Sequence, residues 1–288
     1  MIVITGAAGQ LGSLVVDRLL QRIAADQVAV SVREPEQAAS FAARGVRVRR
    51  GDFTDPASLT TAFEGARQVL VISAAIRGAA AAAAAHRAAI DAAHSAGAER
   101  VLYTSHQGAA EDSRFEPARG HAVTQQYLAR SGGAFTALRN GFYATTVPRL
   151  VEEGLRTGTI SAPADGPVSW TTHDDLAEAT AVVLAEEGRL DGVSPPLTGP
   201  ESLDLADVAA LLTDLTGRTI RRVVVDDDEW RATQVASGVP EPVADFTLGM
   251  FLASRSGEFD VVDPTLSNLL GRPATPLRSF LQAVLADG

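Results

Sequence analysis

Two amino acids with reactive side chains are absent from the 288-residue sequence, which contains no cysteine and no lysine. Without cysteine the chain can form neither a disulfide nor a thiolate-based metal site. Without lysine it has no ammonium group to serve as a general base, to form a Schiff base or to clamp a phosphate. All 25 basic residues are therefore arginines.

Positive charge and long apolar runs are also scarce. The formal net charge of -10 argues against a nucleic-acid backbone or an anionic membrane as the main partner. No run of 18 apolar residues is present, and because a strand is predicted directly after Met1, no secretory leader is expected. These features favour a cytoplasmic protein that binds neither nucleic acid nor membrane.

The first 140 residues do contain a regular alternation of strand and helix patterns. Strands are predicted at 2–5, 28–32, 46–48, 69–72, 100–104 and 134–138, with helices between them, including an alanine-rich one at 79–97. This order predicts an α/β protein with a Rossmann-type doubly wound parallel sheet and a smaller C-terminal α/β lobe. We expect the first domain at 1–190, with a substrate-lobe insertion near 142–168, and the lobe at 191–288. Segment 191–196, which contains two prolines, is predicted to be the boundary.

A glycine-rich turn follows the first strand and opens the first helix, which is predicted over 10–24. Its residues include Gly6, Ala8, Gly9, Gln10, Leu11 and Gly12, with the spacing Gly-x-x-Gly-x-x-Gly. Gly6 permits a tight turn, Gly9 lets backbone N–H groups approach a pyrophosphate, and Gly12 lets helix and strand pack closely. Because the turn lies between a strand and a helix N-terminus, it predicts a dinucleotide site.

The residue at the end of the second strand favours NADPH over NADH. Arg33 stands where an acidic residue would bind the adenine ribose, and a guanidinium suits a 2′-phosphate. The alternative is a solvated surface arginine. After the third strand, Asp52 and Phe53 are candidates to bind the adenine. The alternative is that Asp52 caps a helix and Phe53 packs in the core. Ser73 and Ala74, after the fourth strand, are expected under the cofactor ribose.

Taken together, these motifs resemble the NmrA-like branch of the atypical short-chain dehydrogenase/reductases, and most closely its type-2 NAD(P)H:quinone oxidoreductases, with triphenylmethane dye reductases as near relatives. The resemblance rests on the glycine turn, Val32-Arg33, Gly51-Asp52, 69–73, 101–105, 138–143, 172–177, 197–200 and Thr216-Gly217. It implies an NADPH-dependent reductase that passes hydride to a quinone or a similar planar, electron-poor acceptor, with no flavin and no metal. Two alternatives stay open: an NAD(P)-sensing regulator without turnover, and a dye, enone or isoflavonoid-type reductase.

The wider superfamily uses a Tyr-x-x-x-Lys pair, which this chain cannot form. The residue that aligns with that lysine is taken to be His121, a candidate to orient the nicotinamide ribose or protonate the product. A quinone needs little acid help because its reduction leaves a phenolate-like oxygen, so the missing pair argues against an ordinary alcohol dehydrogenase. The alternative for His121 is a position on the helix surface.

The remaining site candidates lie at the ends of the fifth and sixth strands. We expect Ser105 and Asn140 beside the reacting groups with His121, Tyr103 and Thr104 along the nicotinamide, and Phe142 and Tyr143 around the acceptor, in a partly apolar open pocket. Core packing is the alternative for the aromatic residues. His86 and His94 are predicted on the surface of the alanine-rich helix, and the five histidines are too scattered to predict a metal site. The expected partner is a small-molecule acceptor, and a homodimer is left open.

Overall fold

The computed structural model describes residues 1–287, and its centre is a seven-stranded parallel sheet. The strands of the chain are Ile2–Thr5 (β1), Val28–Val32 (β2), Arg47–Arg50 (β3), Gln68–Val71 (β4), Arg100–His106 (β5), Ala134–Asn140 (β6), Phe142–Tyr143 (β7), Thr159–Ala162 (β8), Trp170–Thr171 (β9), Gly192–Leu197 (β10) and Arg221–Val224 (β11). The large sheet has the order β10-β6-β5-β4-β1-β2-β3, and two small parallel pairs are formed by β11 with β8 and by β7 with β9. The predicted Rossmann-type fold is confirmed.

Helices connect these strands and cover the sheet. They are Gln10–Leu19 (α1), Ala39–Ala42 (α2), Pro56–Phe63 (α3), Ala79–Ser95 (α4), Glu116–Arg130 (α5), Val147–Thr157 (α6), His173–Ala185 (α7), Leu205–Thr216 (α8), Asp227–Ala236 (α9), Glu241–Arg255 (α10), Thr265–Leu270 (α11) and Leu277–Asp287 (α12). Helix α1 ends five residues earlier than predicted. Within residues 1–287, no helix combines the length and the apolar character that crossing a membrane requires.

The central strands have buried residues on both faces, which is why their sequences are apolar rather than alternating. All residues of β1, β2 and β4 are buried, as expected when helices cover both sides of a parallel sheet. Right-handed crossovers then bring the carboxyl ends of the strands to one edge. The turns after β1, β2, β4, β5 and β6 therefore meet along that edge, where ligands bind in such sheets.

Segment 191–196, the predicted boundary, contributes a strand to the large sheet. Residues Gly192–Leu197 form β10, which pairs in parallel with β6 at the edge of the large sheet, with a register shift between Val193 and Pro196. Proline has no N–H to donate, but an edge strand needs hydrogen bonds on one side only, so prolines are tolerated there. The sheet of the first domain thus extends past residue 190.

The C-terminal part of the chain packs over the carboxyl edge of the sheet through its own hydrophobic core. Buried side chains from α8 and α10 belong to the same core as Phe115 and Phe142 from the first part of the chain, and Phe259 contacts both of these rings. The loop after β5 is tied to the same region, because the Arg114 N–H donates to Glu258 at 2.9 Å and Gln107 donates to the Phe259 carbonyl at 3.1 Å. One wall of the candidate site is therefore contributed from beyond residue 241.

Candidate functional site

The glycine turn forms a cradle with no room for side chains. Gly6 has a φ of +63°, a conformation that favours glycine. A Cβ atom on Gly12 would lie 2.2 Å from the Gly6 carbonyl oxygen and 2.9 Å from the Ala7 Cα. The N-cap of α1 is Gly9, which has no side chain to occupy the first-turn N–H groups. The turn is exposed and the start of the helix is buried: Gly6, Ala8, Gly9 and Gln10 are exposed, whereas Leu11 and Gly12 are buried. This shape and polarity fit a pyrophosphate.

Arg33 and Asp52 lie at the neighbouring ends of β2 and β3. Arg33 is exposed, and its guanidinium, with that of Arg50, contributes to a lowered pKa of Asp52; the larger cause is hydrogen bonding to Thr54. Asp52 Oδ1 accepts from the Thr54 N–H at 2.9 Å and from its hydroxyl at 2.8 Å. Glu34, the acidic neighbour of Arg33, is bonded by Gln37 at 2.7 Å. Asp52 therefore caps a turn, with its second oxygen still available to a ligand.

The loop after β4 is fixed from below by three hydrogen bonds. Thr104 Oγ1 accepts from the Ser73 N–H at 2.8 Å and donates to the Ser73 hydroxyl at 3.2 Å. The Ala74 N–H donates to Nε2 of His86 at 3.0 Å. Ser73 and Ala74 are half-buried, so each keeps some accessible surface that a ribose could contact, while Thr104 is buried beneath them.

A line of buried polar side chains runs behind the end of β5. The Tyr103 hydroxyl lies 2.7 Å from Nδ1 of His121 and 3.2 Å from Nδ1 of His86. Tyr103 is fully buried, and its hydroxyl contacts the half-buried His121. His86 is 3% exposed, which corrects its predicted surface position. It lies on the face of α4 that packs against α5, and the Ala74 N–H and Tyr103 satisfy its nitrogens.

His106 is a site residue that the sequence analysis missed. It is half-buried at the end of β5, and its ring stacks on that of His121 with 5.9 Å between centroids. Three phenylalanine rings surround it at 5.4–5.8 Å: Phe115, Phe142 and Phe259. We call these four residues the aromatic cluster. Trp170 contacts it through Phe142, and the half-exposed Phe246 lies against Phe115.

Asn140, the last residue of β6, has a buried side-chain amide in an unusual environment. Its side chain is 1% exposed, and neither its amide nitrogen nor its amide oxygen has a hydrogen-bond partner within residues 1–287. Unpaired buried polar atoms are rare in folded proteins and call for an explanation. A ligand group at this edge would supply the missing partner. On the adjacent strand, the buried Ser105 hydroxyl is already committed, donating to Gln125 at 2.7 Å.

The two residues of β7, Phe142 and Tyr143, lie in different environments, although both were predicted around the acceptor. Phe142 joins the aromatic cluster, whereas Tyr143 packs on His173, with 4.2 Å between ring centroids. Successive residues of a strand point to opposite faces, which explains the separation. Burial raises the pKa of Tyr143, and the nearby Asn140 amide partly offsets that rise although the two groups do not meet hydrogen-bond geometry.

The aromatic side chains of the cluster pack against one another where the acceptor pocket is predicted. A cavity of about 540 Å³ lies at the amino ends of the strands and is lined by residues including Met1, Gln68 and Glu187. In the part of the chain that is described, no group of three or more His, Asp or Glu side chains is placed to hold a metal ion.

Burial keeps the site histidines neutral. It lowers the pKa of His86 and His106 from 6.5 to about 4, and Arg139 adds to the effect on His106. Burial also lowers the pKa of His121 well below 6.5, with smaller contributions from the two other imidazoles. All three rings are therefore uncharged at neutral pH.

These pKa shifts predict an acid-sensitive fold. Between about pH 4 and 6.5 the unfolded chain binds protons that native His86 and His106 do not, so the free energy of unfolding should rise with pH across this window and level off above it. Urea titrations at several pH values should give an uptake of about two or more protons on unfolding near pH 5. His86→Gln should remove about one of these protons. An unchanged uptake in that variant would contradict a buried, neutral His86.

Comparison with known proteins places the chain in a family. A family model described as NAD(P)H-binding matches residues 6–187. Quinone oxidoreductase 2 of Escherichia coli (strain K12) is 36% identical over 282 residues, which are 96% of each chain. The crystal structure of an NADPH-dependent quinone oxidoreductase from E. coli complexed with NADPH matches 99% of this chain and 100% of that one, with a TM-score of 0.93 and 33% identity. That of Citrobacter sp. triphenylmethane reductase complexed with NADP(H) matches 98% of this chain and 99% of that one, with a TM-score of 0.92 and 32% identity.

The matches cover both the glycine cradle and the carboxyl edge at which the candidate residues meet. The family model includes the whole turn from Gly6 to Gly12 and the eight strands that follow one another from β2 to β9. The two crystal structures extend the similarity through the C-terminal lobe. The chain therefore belongs to the NAD(P)H-binding family, in the NmrA-like branch that its sequence resembles.

Proposed function

We propose that this protein is an NADPH-dependent reductase that transfers hydride to a quinone or a similar planar, electron-poor acceptor. The observation that carries the proposal is the composition of the carboxyl edge, where the aromatic cluster and the neutral His121 lie together at the end of β5. Flat aromatic surfaces suit a planar ring. The similar quinone oxidoreductases and the triphenylmethane reductase are named for planar acceptors.

NADPH, when bound, supplies a hydride from its dihydronicotinamide ring. The glycine cradle would hold its pyrophosphate, Arg33 its 2′-phosphate, and Ser73 and Ala74 would lie under the ribose. The unpaired amide of Asn140 would meet a polar group of the nicotinamide or the acceptor. The aromatic cluster, completed by Phe259 from the C-terminal lobe, would position the acceptor and exclude water.

The acceptor gains two electrons with the hydride and then one proton. Unactivated ketones need that proton during hydride transfer, because an alkoxide is a poor product, whereas a reduced quinone is stable as a phenolate-like anion that solvent can protonate. Neutral histidines with depressed pKa values are weak proton donors. The site therefore favours quinones over ketones. Neither a flavin nor a metal is part of the proposal; the partner is a small molecule, the location is the cytoplasm, and a homodimer is left open.

The test is a spectrophotometric assay of NADPH oxidation with a benzoquinone, a naphthoquinone, a triphenylmethane dye and an unactivated ketone. We expect turnover of the quinones, with kcat/KM at least about 100-fold above that for the ketone, since a missing general acid typically costs ~10²–10⁴-fold. Comparable rates with the ketone would overturn the acceptor class. If every acceptor fails although calorimetry detects NADPH binding, the chain is better explained as a cofactor-sensing regulator.

A further inference from the structure

The buried side chains of His86, Tyr103 and His121 behind β5 form a chain of hydrogen bonds. A backbone N–H at one end determines which group donates and which accepts in each of them. This chain of hydrogen bonds starts at the Ala74 N–H, which donates to Nε2 of His86 at 3.0 Å, and a backbone N–H can only donate. Nε2 of His86 therefore carries no proton. Because burial lowers the pKa of His86 to about 4, its ring is neutral and its single N–H is at Nδ1.

The next hydrogen bond follows from this assignment. Nδ1 of His86 lies 3.2 Å from the Tyr103 hydroxyl oxygen and 3.3 Å from Oγ1 of Thr124. The Thr124 hydroxyl donates to the Gly120 carbonyl at 2.9 Å, so its oxygen can only receive from the ring. Tyr103 cannot donate to His86 Nδ1, since that nitrogen already carries a proton.

Tyr103 has one proton and, among the hydrogen bonds of residues 1–287, one partner left to accept it. That partner is Nδ1 of His121, at 2.7 Å. Burial raises the pKa of Tyr103 well above its usual value, so the hydroxyl keeps its proton at neutral pH. With Nδ1 accepting and the ring neutral, the proton of His121 is at Nε2.

We propose that His86 and Tyr103 hold His121 as its neutral Nε2–H tautomer, and that this N–H donates a hydrogen bond to an oxygen of the acceptor. The acceptor role rests on the proposed function, whereas the tautomer does not. The only hydrogen bond of the His121 ring within residues 1–287 is at Nδ1, which leaves Nε2 for a ligand, and the half-buried ring lies against His106 at the edge of the aromatic cluster. His121 is the catalytic residue of this arrangement, and His86 and Tyr103 are positioning residues.

The arrangement makes His121 a hydrogen-bond donor and not a source of protons. Loss of the Nε2 proton would leave an imidazolate, or would require protons from Tyr103 and then His86, where the chain ends at a peptide N–H. The groups that face His121 do not change charge near neutral pH. His86 and His106 are neutral, and His106 is fixed by the Gly108 N–H, which donates to its Nδ1 at 3.1 Å. A neutral imidazole can still stabilise negative charge on an oxygen, as it does for developing enolates in other enzymes.

The tautomer can be measured without turnover. Long-range ¹H–¹⁵N correlation spectra of ¹⁵N-histidine-labelled, cofactor-free protein distinguish the two neutral forms, and His121→Ala assigns the signal. We expect the Nε2–H pattern for His121 from pH 6 to 8. Tyr103→Phe should shift it toward a mixture of tautomers, because the phenylalanine ring fills the same space and donates nothing. His94→Gln is the matched control: His94 is on the same helix but is bonded to Ser131 at 3.0 Å, and its loss should change nothing at His121.

Kinetics then test the donor role. His121→Ala should lower kcat for a quinone by about tenfold, the worth of one hydrogen bond, and not by the ~10²–10⁴-fold of a lost general acid. Tyr103→Phe should lower kcat by about threefold, with KM for NADPH and the flat pH profile from 6 to 8 unchanged. A structural role alone would move the melting temperature but not the tautomer.

Each outcome decides the proposal. An Nδ1–H pattern for His121 in the wild-type protein overturns it, and this measurement does not require any variant to fold. A loss of 10²-fold or more in His121→Ala overturns the donor role in favour of proton transfer. An Nε2–H pattern with no quinone turnover leaves the positioning by His86 and Tyr103 in place and refutes the proposed function and the donor role together. Turnover with the wrong tautomer refutes only this inference.

Discussion

Gly12→Ala is expected to weaken NADPH binding about 100-fold. The added methyl group would lie 2.2 Å from the Gly6 carbonyl oxygen and 2.8 Å from its carbonyl carbon, and both are backbone atoms that cannot rotate away. The turn and the start of α1 must therefore move apart by about an ångström. This displaces the N–H groups that face the pyrophosphate, and losing one or two charged hydrogen bonds of about 1.5–3 kcal/mol each gives this factor. Isothermal titration calorimetry with NADPH measures it.

A matched control exists in α10. A Cβ atom on Gly249 would lie 3.4 Å from the Arg114 carbonyl oxygen, which is an ordinary contact. Gly249→Ala should therefore leave NADPH affinity unchanged. Melting temperatures of both variants, measured by circular dichroism, distinguish a local change in the cradle from a loss of overall stability. Unaltered NADPH affinity in a folded Gly12→Ala protein would show that the close approach of turn and helix is unimportant for binding.

The cradle was predictable because everything it needs is contiguous in sequence. A strand, three glycines with fixed spacing and a helix start specify both the turn and its ligand class. The position of Asn140 and Phe142 at the carboxyl edge was also predictable in outline. Asn140 ends β6 and Phe142 follows it closely, and the topology brings such positions to one edge.

The features that the sequence did not predict depend on contacts between distant segments, or on a helix whose composition does not show which face is buried. The alanine-rich α4 has no apolar stripe to show which side is buried, so the burial of His86 was missed. His106 and Phe259 meet at 5.4 Å across more than 150 residues, and only the packing of the C-terminal lobe determines that contact. The edge position of β10 likewise follows from tertiary pairing, which overrode the local signal of its prolines.

Arg33→Ala is expected to weaken NADPH binding by about 1.5–3 kcal/mol, or roughly 10- to 150-fold, and to leave NADH binding almost unchanged. Arg33 is exposed at the end of β2, and no ion pair to its guanidinium is found in residues 1–287. Its acidic neighbour Glu34 is held by Gln37. The 2′-phosphate of NADPH would therefore bind an unpaired guanidinium. NADH has only a hydroxyl at this position, so removal of the guanidinium should cost it little binding free energy.

Arg50→Ala is the control for this prediction, because Arg50 lies at the end of the adjacent strand β3 and is already paired with Asp55 at 3.2 Å. Both arginines contribute to the lowered pKa of Asp52, so general electrostatic changes at this edge should appear in both variants. Selective recognition of the 2′-phosphate should appear in Arg33→Ala alone. Calorimetric titration of the two variants with both cofactors gives four affinities relative to the wild-type protein. Equal losses of NADH and NADPH in Arg33→Ala would make this arginine structural and would move the origin of any NADPH preference to another residue.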